Sequence, residues 1–561
     1  MTNEAKTPNS NQGSASGHSD TDYDAVVIGA GIAGLYQLYR LREMGMNVIG
    51  YETGSDVGGT WYWNRYPGAR VDSQSYVYQY WFSDELLQEW DWSERFPAQP
   101  ETERYLNFVA DKFELRKDIQ FNTRVSGSRW DADRRRWLIS TANGDEVTAQ
   151  YLISCTGMVS APIIPPFGDH DKFKGEILHT ARWPSESLDL SGKRVGVIGT
   201  GATGIQVIQT IASEVGELKV FQRTPQYAVP MRNEDYDDEA RNRWRAQYPK
   251  LRKLVHGTFA GFDYDFDSPN YIELSHEERL TALEELWADG SLSFWVGGFQ
   301  ELFFDEAIND EISEFVREKI RARINDPAVA EKVVPTKFGF GTARVPLETG
   351  YYDVYNRDNV ELVDVSETPI ERFTENGLVA GGEEFELDVV VLATGFDAGT
   401  GALTRTNIFG RDGCSLTELW GEDIRSTMGL LVHGFPNLFT VAGPLAPSTA
   451  LCNMATCLQQ QVNWITDCID FLNVHGHETI EPSAETEAQW VDHHDETANA
   501  TLMVKTDSWY MGANVEGKPK RLLSYIGGVG TYRNKCDEVA ASGYAGFEIK
   551  DPDSRQIADV T

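Results

Sequence analysis

Two stretches of the chain share the glycine spacing G-x-G-x-x-G, and in each the glycines lie between an apolar run and a helical pattern. The first stretch covers residues 23–52 and the second covers residues 193–224; their glycines are Gly29, Gly31 and Gly34, and Gly199, Gly201 and Gly204. The first glycine of each set allows a tight turn, the second lets a pyrophosphate approach the backbone, and the third lets helix and strand pack closely. The helix N-terminus then binds the anion. Two such units predict an α/β fold with two dinucleotide-binding, Rossmann-like domains.

The residue that ends each unit's second apolar run indicates which dinucleotide binds. Glu52 follows the first glycine of its unit by 23 residues, where a carboxylate binds the ribose of an adenosine and repels a 2′-phosphate. At the same spacing the second unit has Gln222, followed by Arg223 and Thr224, and a guanidinium can bind a phosphate bidentately. The first unit therefore predicts FAD, and the second, with Thr203 in its turn, predicts NADPH.

The order of the patterns predicts that both nucleotide-binding domains are discontinuous. Residues 1–21 are polar and rich in Ser, Asn and Gly, so we expect a disordered tail. We expect the FAD domain to consist of residues 22–155 and 389–561, with a C-terminal loop in the second segment. We expect the NADP domain to consist of residues 156–225 and 335–388, interrupted by a helical insertion over 226–334.

Composition excludes several classes of protein. The net charge of −36 argues against a nucleic-acid or anionic-membrane partner. Because the chain shows neither an apolar run of membrane-spanning length nor a signal peptide, a cytoplasmic protein is expected. Its six cysteines show no disulfide framework and no metal-ligand spacing, although Cys452 and Cys457 form a C-x4-C pair.

Two longer motifs narrow the function. The segment FKGEILHTARWP matches F-x-G-x-x-x-H-T-x-x-W-[P/D] through Phe173, Gly175, His179, Thr180, Trp183 and Pro184. The segment GTWYWNRYPGARVD matches G-x-W-x-x-x-x-[F/Y]-P-[G/M]-x-x-x-D through Gly59, Trp61, Tyr66, Pro67, Gly68 and Asp72. With these motifs, residues 22–548 resemble the Baeyer–Villiger monooxygenases, nearest to the phenylacetone and steroid monooxygenase branch.

This resemblance implies bound FAD, NADPH as the reductant, and insertion of one oxygen atom of O2 beside a ketone carbonyl through a flavin C4a-peroxide. It implies a catalytic role for Arg344, which precedes the YY segment, because a guanidinium stabilises an anion without titrating. Asp72 is expected to pair with Arg344 and to orient it.

The resemblance also assigns roles outside this catalytic pair. Trp509 matches a tryptophan on a mobile C-terminal loop that closes over NADP, and His179 is assigned to orientation or domain linkage. The remaining implicated residues are Gly59, Thr60 and Trp61 beside FAD, and Thr449, Leu451 and Cys452 in the loop 445–454 that borders the substrate.

One position departs from the family pattern. Relatives usually have a lysine immediately before the catalytic arginine, where it helps to bind the 2′-phosphate, and this chain has Ala343. NADPH remains the expected cofactor, with some tolerance of NADH. Lys337 lies in the same segment, and the sequence leaves open whether it compensates.

Several alternatives remain open at this point. A flavin monooxygenase that oxidises sulfur or amine nitrogen would not require Arg344, and a non-catalytic NADP-sensing scaffold would keep only the fold. A disulfide reductase would need Cys452 and Cys457 beside the flavin. We rank bulky cyclic or aryl ketones above short linear ones, and we expect a monomer or weak homodimer.

The acid surplus yields a first prediction. The 86 Asp and Glu residues exceed the 50 Lys and Arg residues, so their repulsion opposes the folded state at low ionic strength. The Debye length falls from about 10 Å at 0.1 M salt to about 3 Å at 1 M, so the melting temperature should rise as KCl increases. Melting of the FAD-bound protein across a KCl series measures this, and a flat or falling curve would indicate an ordinary acidic protein without salt adaptation.

Overall fold

The computed structural model describes residues 21–186 and 188–552, so the tail predicted for residues 1–21 lies outside the described residues except for its last member. Over the described residues the strands are β1 Tyr23–Ile28, β2 Val48–Tyr51, β3 Ile119–Gln120, β4 Val125–Asp131, β5 Arg136–Thr141, β6 Glu146–Ser154, β7 Glu176–His179, β8 Arg194–Ile198, β9 Glu217–Gln222, β10 Val229–Pro230, β11 Leu347–Glu348, β12 Val360–Asp364, β13 Ile370–Phe373, β14 Gly377–Ala380, β15 Glu383–Glu386, β16 Val389–Leu392, β17 Ile408–Phe409, β18 Leu438–Thr440, β19 Thr479–Pro482 and β20 Phe547–Lys550. The α-helices are α1 Ile32–Glu43, α2 Thr60–Trp63, α3 Asp84–Glu89, α4 Gln99–Lys112, α5 Ala202–Ile211, α6 Asp238–Val255, α7 His276–Asp289, α8 Ser293–Val296, α9 Glu306–Arg321, α10 Pro327–Val333, α11 Gly401–Thr404, α12 Leu416–Glu422, α13 Met454–His475, α14 Ala484–Asn499 and α15 Val529–Ala541.

The first glycine unit lies in an eight-stranded mixed sheet. Its strand order is β17-β4-β5-β6-β1-β2-β3, and β18 also pairs with β6. Strands β1, β2, β3, β6 and β18 run parallel, whereas β4, β5 and β6 form the antiparallel excursion that their alternating pattern predicts. The centre of β1 is fully buried, as expected for a parallel strand that is covered on both faces.

The second glycine unit lies in a five-stranded sheet with the order β12-β9-β8-β16-β7, in which every pairing is parallel. The placement of β16 corrects one expected boundary. We assigned residues from 389 onward to the FAD domain, but β16 pairs with β7 and β8 of the second sheet. An apolar run shows that a strand is buried, and it does not show which sheet the strand joins.

The C-terminal part of the chain returns to the first sheet. β18 adds to β6, and α13 packs along α1, where the Gln37 side-chain amide donates to the Thr466 hydroxyl at 3.1 Å. Residues 226–334 are mainly helical and contain α6 to α10. Their first strand, β10, pairs with β11 just beyond Arg344, so the insertion is tied to the segment that carries this arginine.

The two glycine turns have the same packing. Gly29 and Gly199 adopt φ values of 101° and 107°, and a Cβ on either residue would lie 2.6 or 2.5 Å from a backbone oxygen of the neighbouring strand's end. A Cβ on Gly34 would overlap the carbonyl oxygen of Gly29, and Gly204 has the same relation to Gly199. Each helix can therefore approach its strand only because the third residue has no side chain.

Gly34→Ala should destabilise the protein by about 1–3 kcal/mol, because the new methyl group displaces α1 from β1. Gly421→Ala is the matched control: no atom lies within 4 Å of a Cβ at this exposed position in α12, and alanine favours helix by up to about 1 kcal/mol. Urea unfolding of both variants measures the difference. Equal stability of the two variants would contradict this account of the turn.

Candidate active site

Arg344 lies where segments from distant parts of the chain meet. Its Nη2 donates to Asp72 Oδ2 in an ion pair, and its Nη1 lies 3.3 Å from the Thr449 carbonyl oxygen. The guanidinium carbon is 5.4 Å from the ring centroid of Trp295. The structure therefore brings together the two residues assigned to catalysis and a residue of the loop expected to border the substrate.

Asp72 is positioned by contacts between its motif and the second glycine unit. The Tyr66 hydroxyl donates to the Gln206 side-chain oxygen in α5 at 2.8 Å, and the Gln206 amide donates to the Arg70 carbonyl at 3.1 Å. Gly68 packs so closely on α5 that a Cβ there would lie 2.5 Å from the Gln206 carbonyl oxygen. This motif therefore joins the two nucleotide-binding units and carries Asp72 at its end.

The ion pair is largely shielded from solvent. The Arg344 side chain is 18% exposed and the Asp72 side chain 25%. Burial by itself would lower the pKa of Arg344, but the charge of Asp72 and contact with Tyr510 outweigh it, so the pKa lies above its usual value. Arg344 therefore provides a fixed positive charge in a site where water screens charge poorly.

Tyr510 is a neighbour of this pair that the sequence analysis missed. Its hydroxyl donates to the Thr449 carbonyl at 2.9 Å, and burial raises its pKa to about 12 although the charge of Arg344 opposes this. The hydroxyl therefore stays protonated and ties the C-terminal segment to the loop 445–454. The only sequence signal was its adjacency to Trp509, which is half-buried and whose ring centroid lies 4.2 Å from that of Tyr510, with the ring planes tilted by 48°.

Trp295 was missed as well, because it lies in the helical insertion and belongs to no motif. Its indole nitrogen donates to the Gly341 carbonyl at 3.0 Å, three residues before Arg344. The side chain is buried. Through Trp295, the helical insertion therefore contacts both the backbone before Arg344 and the guanidinium itself.

The loop 445–454 has an unusual backbone. Leu445 and Leu451 adopt positive φ values of 70° and 53°, a conformation that costs a non-glycine residue free energy and occurs often at functional sites. Thr449 holds the loop against the core, since its hydroxyl lies 3.2 Å from the Met158 sulfur. Cys452 follows and is buried.

The cysteines require a correction. We found no disulfide framework in the sequence, but the structure joins Cys452 to Cys457, with 6.7 Å between their Cα atoms. This separation lies within the range that a disulfide spans. The bond links the end of the substrate loop to the first turn of α13. Spacing did not reveal it because a C-x4-C pair also occurs with free thiols.

The residues assigned to FAD line one turn. α1 begins after Gly31 without a side-chain cap, so its first N–H groups face outward, as a pyrophosphate site requires. A Cβ on Gly59 would lie 2.7 Å from the Gly31 Cα, which places Thr60 and Trp61 of α2 beside this turn. The buried Glu52 carboxylate accepts the backbone N–H of Ala30 at 2.8 Å and is held at the same edge. These features fit a bound FAD.

The second unit has an equivalent open turn. α5 begins after Gly201 without a side-chain cap, and no atom lies within 4 Å of the position of a Cβ on this glycine. Thr203 lies in the first turn of α5. Arg223 and Thr224 are exposed directly after β9, so a nucleotide on this helix N-terminus has a guanidinium near its ribose. The arrangement fits NADP.

The FKGEILHTARWP motif lies at the edge of the five-stranded sheet. It forms β7 and the turn after it, with His179 opposite Leu392 in β16. The Ala181 N–H donates to His179 Nδ1 at 3.0 Å, so Nε2 carries the proton and donates to the Ile163 carbonyl at 3.2 Å. Burial lowers the pKa of His179 and keeps the ring neutral.

The other motif residues pack on either side of β7. Thr180 donates to the Leu392 carbonyl at 3.3 Å, and Phe173 and Trp183 are buried. Gly175 packs against Asp388, where a Cβ would overlap the backbone oxygen. These contacts lie at the edge of the second sheet, next to the chain's crossing between sheets, and they support the assignment of His179 to domain linkage.

Comparisons with known proteins agree with this arrangement. Residues 23–231 match the family model described as FMO-like, flavin-binding monooxygenase-like. The acetone monooxygenase (methyl acetate-forming) of Gordonia sp. (strain TY-5) is 55% identical over 95% of this chain and 100% of its own length. Cyclopentanone 1,2-monooxygenase of Comamonas sp. (strain NCIMB 9872) is 40% identical over 94% and 96%.

A solved structure of oxidized steroid monooxygenase bound to NADP superimposes with a TM-score of 0.90 and 44% identity, covering 95% of this chain and 100% of that one. The chain belongs to the Baeyer–Villiger monooxygenases. It is an FAD- and NADP-dependent flavoprotein with two dinucleotide-binding domains, as the sequence predicted. Within the described residues, no helix is both long and apolar enough to cross a bilayer.

The shielding of the ion pair predicts the effect of Asp72→Asn. Removing the carboxylate leaves the Arg344 charge uncompensated and should cost about 1–3 kcal/mol of folding free energy. Asp467→Asn is the control, because Asp467 pairs with Arg40 while 67% exposed, and an exposed pair contributes about 0–1 kcal/mol. Thermal melting with saturating FAD measures both. Similar losses in the two variants would show that Asp72 does not compensate a shielded charge.

Proposed function

We propose that this protein converts ketones to esters or lactones with NADPH and O2, and that Arg344 and Asp72 are its catalytic pair. The observation that supports this most directly is the shielded ion pair between them, which lies against the substrate loop. The pair also lies at the junction of both nucleotide-binding units, because the Asp72 motif packs on α5.

When bound, FAD reduced by NADPH would activate O2, so that one oxygen atom of O2 is inserted beside the ketone carbonyl and the other leaves as water. The protein must then stabilise the negative charge that develops on the ketone oxygen when its carbonyl carbon is attacked. Arg344 is suited to this role because its guanidinium stays charged at every physiological pH and is poorly screened by water. Preorganised charge of this kind costs no reorganisation during the reaction.

Neighbouring groups keep Arg344 in one orientation. Asp72 binds one guanidinium nitrogen, and the Thr449 carbonyl accepts from another. Tyr510 fixes this carbonyl through its own hydrogen bond. Trp295 presents its ring to the guanidinium. These contacts use some of the arginine's donors and leave the others for the substrate, since a guanidinium has five N–H groups.

The preference for bulky cyclic or aryl ketones over short linear ones stays a prediction. Relatives of this chain carry names that include both acetone and cyclopentanone. A panel of acetone, cyclopentanone, cyclohexanone and phenylacetone, with products identified by mass, decides between these classes. Higher kcat/KM for acetone than for every cyclic and aryl ketone would contradict the predicted preference.

Arg344→Ala should retain FAD and lose ester formation by at least about 100-fold, because a preorganised charge at the developing anion is removed. Arg344→Lys is the matched variant, since lysine keeps the charge but lacks the planar fork that contacts both Asp72 and Thr449. Flavin absorbance verifies cofactor retention, and product formation from the best ketone of the panel gives the rate. Near wild-type ester formation by Arg344→Ala would remove this residue from the mechanism.

A sulfide substrate tests the alternative of sulfur or nitrogen oxidation. Oxygen transfer to a soft sulfur does not place a negative charge on a carbonyl oxygen, so it does not require Arg344. A wild-type enzyme that oxidises methyl phenyl sulfide and leaves every ketone of the panel unchanged would favour that alternative.

A further inference from the structure

The lysine expected before the catalytic arginine is replaced by Ala343, so the side chain at this position contributes no cation to a 2′-phosphate. The Ala343 side chain is buried, with 5% of the residue exposed. If the enzyme prefers NADPH, other residues must therefore provide the cations that bind its 2′-phosphate at the end of β9. The segment before Ala343, residues 332–338, is the one that packs on this end of β9.

Two sets of hydrogen bonds hold that segment in place. At its start, the Gln222 side-chain amide donates to the Lys332 carbonyl at 2.7 Å, and Gln222 is the last residue of β9. At its end, the buried Tyr227 hydroxyl lies 3.2 Å from the carbonyl oxygens of both Pro335 and Phe338. Lys332 and Lys337 are thereby held beside the turn 223–227, which begins with Arg223.

Three cations consequently occupy one exposed edge. Arg223, Lys332 and Lys337 are exposed, and over the described residues none of the three lies within 4.0 Å of a carboxylate oxygen. This is notable in a chain with 86 acidic and 50 basic residues, where most cations could find a partner. Adjacent unpaired cations repel each other unless an anion binds between them.

One carboxylate belongs to the same edge. Asp364 lies opposite Gln222 in the pairing of β12 with β9 and accepts the Ser366 N–H at 2.9 Å. Burial would raise the pKa of Asp364, but the Ser366 hydrogen bonds and the charges of Lys332 and Lys337 lower it. Three cations and one carboxylate leave two positive charges, which matches a phosphate monoester of about −1.5 to −2.

We propose that Lys332 and Lys337 bind the 2′-phosphate of NADPH together with Arg223, and so replace the family lysine that is absent at Ala343. This inference rests on the proposed use of NADPH. Arg223 can bind two phosphate oxygens in its planar fork, and the lysines add charge without fixed geometry. The cofactor preference of this enzyme is thus set by residues 332–338.

The test measures binding to the oxidised, FAD-loaded enzyme by titration calorimetry, with NADP+ and NAD+ as separate ligands. Lys332→Ala and Lys337→Ala should each raise the Kd of NADP+ about tenfold, the usual loss of one charge-assisted contact, and leave the Kd of NAD+ within about twofold. The double variant should approach the affinity for NAD+. Ala343→Lys should restore part of the loss, because it returns a cation to the segment.

Lys250→Ala is the matched control, since Lys250 is an exposed lysine of α6 and should change neither Kd. Flavin absorbance and melting temperature verify that each variant is folded. Unchanged binding of both ligands, or equal weakening of both, overturns the assignment of the lysines. A wild-type enzyme that binds NAD+ as tightly as NADP+ overturns the proposed NADPH dependence itself, so the two failures are distinguishable.

Discussion

The contact on which the site depends is the ion pair between Arg344 and Asp72. A guanidinium that is 18% exposed loses much of its hydration, and it keeps its charge only because Asp72 and polar neighbours compensate. Neither residue could be placed there by its own local structure. Asp72 follows a motif that packs on α5, and Arg344 precedes β11, which pairs with β10 of the helical insertion.

The parallel strands at the centre of each of the two sheets explain why the nucleotide-binding domains are discontinuous. A dinucleotide binds at the carboxyl edge of each parallel sheet, at the turn that follows the first strand. For the two bound cofactors to meet, the edges must face each other, and connections must cross between the sheets more than once. The FKGEILHTARWP motif lies at such a crossing and forms β7 and the turn after it. Burial lowers the pKa of its histidine, and the Nδ1 of this ring accepts the Ala181 N–H. This explains why a histidine in a diagnostic motif need not transfer protons.

The sequence predicted the turn, strand and helix at each glycine motif. The glycine spacing, Glu52 and Arg223 could be interpreted because each acts on its own segment, where a turn, a strand and a helix follow one another. Two predictions failed for different reasons. The run at 389–392 joined the other sheet, because pairing between distant strands depends on which surfaces meet. Cys452 bonded to Cys457, five residues away, and a C-x4-C spacing is shared by bonded pairs and free thiols.

The sequence by itself determined the two nucleotide-binding units, because these follow from residue types at fixed spacing. Its longer motifs carried the resemblance to Baeyer–Villiger monooxygenases, which implies the roles of Arg344 and Asp72. Tertiary structure alone decided that Tyr510 and Trp295 flank the arginine and that the segment beginning at Lys332 packs against the end of β9. The physical reason is that the spacing of residues in the sequence reflects only contacts within one segment. Contacts between distant segments arise only when burial of their apolar faces brings them together.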